Sequence, residues 1–183
     1  MPRFMSRLFG IALLLAVVAS PLLIRGTTAQ DATPCPPLTE EEATQWVTDY
    51  YTDWNGHDAA AIAARYVDGA IKHWGIGVDA QGIDEITKSV QGYFDAFPQL
   101  HTTVDRVWVT DDAIVVRFIS IGIQEIEYMG IPASKETATW TGIHIFQVDC
   151  GKIVESWHEA DHFGRIEQQG VIPVASPEAT PSA

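Results

Sequence analysis

The sequence predicts a single α+β domain, with helices first and an antiparallel sheet after them. Three observations predict this class: amphipathic helical patterns end near Pro98, the chain from Leu100 onward is rich in Val, Ile, Thr and Trp, and turn residues separate the β-rich stretches. Helices grouped before strands are typical of a sheet covered by helices on one side. A curved sheet of this kind leaves a cavity between its layers, where a functional site is expected.

Three helices are predicted before the sheet. Thr39 and Glu42 form a capping box at the start of the first, and Asp58 caps a second, alanine-rich helix expected to run through Tyr66 to Asp68-Gly69. The first helix and the third helix, which ends at Pro98, should each bury one face. The buried face of the first helix consists of Val47, Tyr50, Tyr51 and Trp54. That of the third consists of Ile83, Ile86, Val90, Tyr93, Phe94 and Phe97.

Five stretches read as strands. One, AIKHWGIG, precedes the third helix, and four follow it: TTVDRVWV, AIVVRFISIGIQEI, TATWTGIHIFQV and KIVESWHEA.

The N-terminus has the composition of a secretory signal peptide. Arg3 and Arg7 precede the apolar run IALLLAVVASPLLI, which is shorter than the about 20 residues of a membrane span, and small residues follow up to Ala29. We therefore predict a signal peptide at 1–29 and a secreted or extracytoplasmic protein after cleavage; an uncleaved anchor is the alternative. A lead-in at 30–37 and a tail at 175–183 are predicted to be disordered, which leaves the domain at 38–174.

Charge and cysteine content limit the partners and the compartment. The chain has 11 basic and 24 acidic residues, a net charge of −13, and removal of 1–29 removes three arginines and no acid. Such a protein repels phosphate backbones, so we expect no nucleic acid partner. Its two cysteines, Cys35 and Cys150, can pair in an oxidising compartment; two free thiols are the alternative.

The stretch HEADH at 158–162 spells H-E-x-x-H, the spacing with which a helix presents two zinc ligands and a general base. A zinc hydrolase using His158, Glu159 and His162 is therefore a minor alternative. On a strand these histidines would stand roughly 13 Å apart, too far for one zinc ion. The preceding residues GKIVESW favour a strand, so we expect no metal.

The turn VDCGK decides where the last two strands place their histidines. It suits a three-residue loop with Gly151 in the left-handed region, which puts His144 opposite Ser156 and His158 diagonally beside it on the same face. A two-residue loop, Cys150-Gly151, would shift the register by one and put the two histidines on opposite faces.

From about Thr44 to Gly170 the chain resembles the SnoaL-like polyketide cyclases, or ester cyclases, of the nuclear-transport-factor-like superfamily. The resemblance rests on DAFPQL, on the loop MGIPAS, and on WTGIHIFQVDCGKIVESWHEADHFGRIEQQG with its terminal Q-x-G. It implies a cone-shaped fold, with N-terminal helices packed on a strongly curved antiparallel sheet and a small apolar pocket. It also implies an intramolecular aldol condensation without a cofactor, and a homodimer formed through the open sheet.

The family's catalytic positions fall on the last two strands. The family's histidine corresponds to His144, whereas its acid/base aspartate corresponds to His158, and Asp161 matches a second acid of the final motif. A histidine can still take or give a proton at neutral pH. We therefore take His158, His144 and Asp161 as catalytic candidates.

Aromatic residues and one further histidine are candidates for binding a small hydrophobic molecule: His73, Trp74, Trp140, Tyr51 and Trp54. Packing in the core is the alternative role for the aromatic residues, and a structural role is the alternative for His73. The predicted function is acid/base chemistry of the cyclase or isomerase type on such a molecule. The main alternative is an exported binding or dimerisation module without chemistry, because one fold hosts many functions.

Overall fold

The computed structural model describes residues 35–75 and 77–171. The predicted signal peptide, most of the lead-in and the predicted tail lie outside these residues. No helix in the described part of the chain is long and apolar enough to cross a membrane. The helices are α1 (Glu40–Asn55), α2 (Ala59–Ala63), α3 (Gly82–Ala96) and α4 (His162–Gln168), and the strands are β1 (Tyr66–His73), β2 (Asp79–Gln81), β3 (His101–Val109), β4 (Ala113–Ile123), β5 (Thr137–Asp149) and β6 (Lys152–Ala160).

The strands form one six-stranded sheet in the order β2-β1-β6-β5-β4-β3. All neighbours are antiparallel except β1 and β6, which are parallel. Helix α1 packs against β3, α3 against β1 and α4 against β5. The α+β fold class is confirmed, with one parallel pair inside a sheet that was expected to be antiparallel.

Helix α1 begins and packs as its sequence predicts. Thr39 caps it, and the side chains of Thr39 and Glu42 bond each other's backbone amides in a capping box. Its buried face carries Val47, Tyr50, Tyr51 and Trp54, none more than 4% exposed. This face packs onto the sheet because the apolar residues recur at i, i+3, i+4 and i+7.

The second helix is shorter than predicted. It ends at Ala63, and Tyr66 is the first residue of β1 rather than part of the helix. Pairing with β6 outweighs the helical pattern here: the Ile153 amide donates to the Arg65 carbonyl, and the Tyr66 hydroxyl lies 2.8 Å from Ser156 Oγ. The short strand β2 was not predicted, since three residues carry too little pattern to be recognised.

The turn between β5 and β6 differs from the three-residue loop that we expected. Asp149 pairs with Lys152, so the loop is the two-residue Cys150-Gly151, and both residues have positive φ, 51° and 75°. A β-bulge follows directly: Val148 pairs with Ile153 but Gln147 pairs with Glu155. The extra residue on β6, Val154, reverses the effect of the shorter loop, so the two histidines return to one face.

Cys35 and Cys150 are joined by a disulfide, with their Cα atoms 5.2 Å apart. The bond ties the segment before α1 to the β5–β6 turn. An open cleft of about 250 Å³ lies beside it, lined by this segment and by the turns at 109–114 and 147–151.

Candidate active site

Two histidines meet on the inner face of the sheet, where β5 and β6 lie side by side. His144 pairs directly with His158, and His144 Nε2 is 2.5 Å from His158 Nδ1. The other ring nitrogen of His144, Nδ1, lies 3.1 Å from the hydroxyl of Tyr51 in α1. The three side chains form one hydrogen-bonded chain, and its end at His158 Nε2 has no hydrogen-bond partner among the described residues.

Aromatic rings enclose this chain on several sides. The rings of Trp54, Trp74, Tyr93 and Phe118 have their centroids 5.1–6.1 Å from that of His158. The two histidines are themselves only 1% and 2% exposed. The pair is therefore shielded from water by apolar surface.

Phe118 reaches both imidazoles because of a glycine on the neighbouring strand. Its ring centroid is 5.4 Å from that of His144 and 5.2 Å from that of His158. Gly142 of β5 lies opposite Phe118, and a Cβ on Gly142 would overlap the Phe118 ring. The absence of a side chain at 142 thus lets Phe118 pack against the pair.

Burial holds the pKa of each histidine well below its usual value of 6.5. Desolvation is the largest cause of the lowered pKa of both residues. Positive charge on His158 and Lys72 lowers the pKa of His144 further. Positive charge on Lys72 and His162 does the same for His158. Both rings are therefore neutral at pH 7. In a neutral imidazole one nitrogen donates a hydrogen bond and the other accepts one.

Two proton arrangements satisfy the chain. In the first, the Tyr51 hydroxyl donates to His144 Nδ1, His144 Nε2 donates to His158 Nδ1, and His158 Nε2 carries a proton. In the second, the two bonds run in the opposite direction and His158 Nε2 has a free lone pair. His158 Nε2 can thus act as an acid or as a base, which is what general acid/base chemistry requires.

A buried lysine lies against two of the aromatic rings that surround the histidine pair, those of Trp54 and Trp74. Lys72 of β1 is 0% exposed, and its Nζ has no hydrogen-bond partner among the described residues. The Nζ atom stands 4.3 Å from the centroid of the Trp74 ring and 5.9 Å from that of Trp54. Desolvation lowers the pKa of Lys72 from 10.5 to about 7.

The sequence did not single out Lys72, although a signal was present. Ala70, Lys72 and Trp74 alternate along β1 and its end, so they share a face, and the two apolar members mark that face as the inner one. His73 drew attention instead because of its residue type. The roles of Tyr93 and Phe118 were also missed, since nothing in their local pattern distinguishes lining residues from core.

The structure brings Tyr51, Trp54 and Trp74 to the histidine pair but sets Trp140 apart. Trp140 is buried on β5 four residues before His144, and its ring packs against Phe97 at 5.6 Å. The Arg165 guanidinium lies 5.8 Å from the Trp140 ring. Trp140 therefore belongs to a neighbouring part of the core that includes a buried arginine.

His73 lies on the other face of the sheet. Its Nδ1 atom bonds Asp79 at 2.7 Å and its Nε2 atom bonds Glu155 at 2.8 Å, while its ring stacks on Trp157. The hydrogen bonds to Glu155 and Asp79 raise the pKa of His73, and the bond to Glu155 has the larger effect. The placement of His73 in a binding pocket was wrong because alternation along β1 turns residue 72 inward and residue 73 outward.

Asp161 is also away from the pair. It is exposed and caps α4, where its Oδ1 accepts a hydrogen bond from the Gly164 amide at 2.8 Å. The structure therefore gives Asp161 a capping role at the surface, and its predicted catalytic role has no support from its contacts.

The H-E-x-x-H stretch does not form a zinc-binding helix. His158 lies on β6, which ends at Ala160, and His162 is the first residue of α4. Within 35–75 and 77–171, one group of three potential ligands lies close enough to hold a metal, and it consists of Cys35, Asp149 and Cys150. Two of these are disulfide-bonded, so the zinc hydrolase alternative has no geometric support.

Comparison with known proteins identifies the family of the chain. The family model described as SnoaL-like polyketide cyclase matches residues 44–169. No curated protein matches the sequence.

Solved structures share the fold over almost their whole length. A protein from Jannaschia sp. CCS1 assigned as a SnoaL-like polyketide cyclase is 19% identical, with a TM-score of 0.66, and 79% of this chain and 99% of that chain are covered. TsrD from Streptomyces laurentii is 24% identical, with a TM-score of 0.64 and coverages of 74% and 99%. IdmH from Streptomyces antibioticus, assigned as a polyketide cyclase, is 23% identical, with a TM-score of 0.60 and coverages of 70% and 99%.

At these identities the structures show the fold, while the family model covers most of the described residues. The chain belongs to the SnoaL-like polyketide cyclase family.

Proposed function

We propose that the protein is an exported catalyst that needs no cofactor and performs acid/base chemistry on a small hydrophobic carbonyl compound. The observation that carries this proposal is the buried chain Tyr51–His144–His158, whose free end at His158 Nε2 has no hydrogen-bond partner among the described residues. The surrounding aromatic rings favour an apolar substrate. Export is inferred from the residues at 1–29 alone.

In the proposed reaction, His158 Nε2 takes a proton from a carbon next to a carbonyl group. The electron pair of the C–H bond moves into an enolate, and the positive charge formed on His158 is shared with His144 through their short hydrogen bond. The enolate carbon attacks a second carbonyl carbon in the same molecule, and the resulting alkoxide takes the proton back from His158 Nε2. The pair ends as it began, so no cofactor is consumed.

The lowered pKa values of the pair restrict the substrate. Imidazoles whose pKa lies well below 6.5 are weak bases, and a weak base removes protons efficiently only from relatively acidic C–H groups. We therefore expect ketones whose C–H bond is activated by a second carbonyl or by an aromatic ring.

Solvent exchange tests the proposal without knowledge of the natural substrate. The mature protein is incubated in D2O with 2-tetralone, a bicyclic ketone with an activated C–H, and proton NMR follows the loss of the signal next to the carbonyl. We expect exchange above the buffer rate, and a decrease of this catalysed rate by about 10²–10⁴ in His158→Phe. His101→Phe, which changes an exposed histidine, is the matched control and should exchange like the wild type.

A binding module without chemistry is the second candidate, and the lowered pKa values of both histidines favour it because they make the pair a weak base. Thermal shifts measured on the same samples separate the two. Stabilisation by 2-tetralone without exchange above buffer would contradict catalysis and favour binding.

A further inference from the structure

Lys72 is not used by the proposed acid/base reaction, yet it occupies a costly position. A buried polar group without a partner is destabilising, and a buried charge is more so. Lys72 has a fully buried Nζ that lies against the rings of Trp74 and Trp54. A lysine held in apolar surroundings is a nucleophile, because its amine is neutral more often than an exposed one.

The register of the sheet brings this amine close to the histidine pair. Lys72 pairs with Ser156 on β6, and His158 is two residues further along the same face. Lys72 Nζ and the His158 ring both lie against Trp54 and Trp74. The same two rings therefore contact two side chains, those of Lys72 and His158, and each of these has a polar atom without a hydrogen-bond partner among the described residues, Lys72 Nζ and His158 Nε2.

We propose that Lys72 forms a covalent iminium bond with a carbonyl carbon of the substrate, and that the substrate class is hydrophobic ketones and 1,3-diketones. The neutral amine attacks the carbonyl carbon and forms a C–N bond. The oxygen receives one proton from the nitrogen and a second proton from the solvent, the C–O bond breaks, and water leaves, so the iminium carries one positive charge. No oxidant or reductant takes part, and hydrolysis of the iminium returns the free amine.

This inference rests on the proposed function, because it adds a second reacting group beside the histidine pair. It also explains how a base as weak as His158 could remove a proton from carbon. A positively charged iminium withdraws electrons from the neighbouring carbon and makes its C–H bond more acidic. His158 Nε2 can then remove that proton although its ring is a poor base. Lys72 would activate the substrate, and the histidine pair would transfer the proton.

The test uses 1-phenylbutane-1,3-dione as a probe. Its iminium loses a proton from the carbon between the iminium carbon and the remaining carbonyl group, and it becomes a conjugated enaminone. The enaminone absorbs in the near ultraviolet and adds the mass of the diketone minus one water. The chain has four lysines, all among the described residues, and Lys88, Lys135 and Lys152 are exposed. Peptide mapping by mass spectrometry therefore assigns the adduct.

We expect one adduct per chain, on the peptide that contains Lys72. No adduct, or adducts confined to the exposed lysines and the N-terminal amine, would overturn the inference. This readout uses the wild-type protein, so it does not depend on the folding of a variant.

Variants separate this inference from the proposed function. Lys72→Met and Lys72→Arg should lower the adduct yield by about tenfold or more, whereas Lys88→Met, a change of an exposed lysine, should leave it unchanged. In His158→Phe the adduct at Lys72 should still form while deuterium exchange is lost. Exchange that depends on His158 without any adduct at Lys72 would refute the covalent step and leave the acid/base proposal standing.

Discussion

Individual residues show which parts of the site a sequence can reveal. Tyr51 and Trp54 were predictable as lining residues because helical periodicity fixes the buried face of α1. His144 and His158 were found through the resemblance of the last two strands to the family. Lys72 was missed because charged residues are almost never fully buried, so a lysine in a strand is normally assigned to the solvent face.

The burial of Lys72 predicts an unusual dependence of stability on pH. Its pKa is about 7 in the folded protein, against 10.5 for a lysine side chain surrounded by water. Because the folded pKa is lowered, the unfolded chain binds this proton more tightly, and stability is lost as pH falls from 10.5 towards 7. Between pH 9.5 and pH 7 the loss from this residue should be roughly 3 kcal/mol.

Lys72→Met should remove the loss of stability that protonation of Lys72 causes as the pH falls. Urea unfolding should show the variant to be more stable than the wild type at pH 7, by roughly 4 kcal/mol at most, and the difference should shrink by pH 9.5. Lys88→Met provides the control, since its side chain is exposed, and should change little at either pH. A Lys72→Met protein that is less stable than the wild type at pH 7 would show that the lysine has a stabilising partner.

The β5–β6 hairpin shows why elements are easier to predict than their pairing. Both strands were predicted almost to the residue, since long runs of β-branched and aromatic residues are a strong signal. The predicted loop of three residues was wrong, since the loop has two. The bulge at Val154 was not predicted because no residue type marks it. The histidines share a face because these two features compensate, so the site depends on register.

The close approach of Gly142 to Phe118 gives a prediction for the same hairpin. Gly142→Ala would place a methyl group in the Phe118 ring and against the Glu159 carbonyl, which should lower the unfolding free energy by about 1–3 kcal/mol. It should also displace Phe118 from the histidine pair.

Gly92→Ala is the matched control for this change. Gly92 lies in α3, and a Cβ there meets nothing within 4 Å, so alanine should stabilise the helix by about 0.5–1 kcal/mol. Urea unfolding of both variants measures the contrast. Equal stabilities of the two variants would contradict the close packing at Gly142.

At the scale of the whole molecule, composition and order of elements predicted the fold class but not the strand order. The parallel pairing of β1 with β6 joins residues about 85 positions apart, and short-range patterns carry no information about such a contact. Yet this pairing is what brings Lys72 and Trp74 to His158. The site could therefore be predicted only in part from its last two strands.

The outer face of the sheet predicts an oligomer. Ile119, Ile121 and Ile143 lie on the outer face of the adjacent strands β4 and β5 and are 37%, 45% and 41% exposed. Contiguous apolar surface of this kind marks an interaction site, and we propose that a second copy of the chain covers it.

Light scattering after size exclusion measures the assembly. The wild type should be a dimer, and Ile143→Glu should be a monomer because a charge would be buried in the interface. Gln91→Glu on the exposed side of α3 should remain a dimer. A monomeric wild type, or a dimeric Ile143→Glu, would contradict this proposal.

The neutral, hydrogen-bonded histidine pair is the feature on which the proposed chemistry depends, and long-range proton–nitrogen NMR of the imidazoles observes it directly. Because burial lowers both pKa values, the unfolded chain takes up these protons first, and stability should fall as pH drops below about 6.5. We expect His144 and His158 to remain neutral in the folded protein throughout this range, and 2-tetralone to shift the Nε2 signal of His158. Titration of either ring near pH 6.5 in the folded protein, or a His158 signal unchanged by the ketone, would contradict a buried acid/base pair.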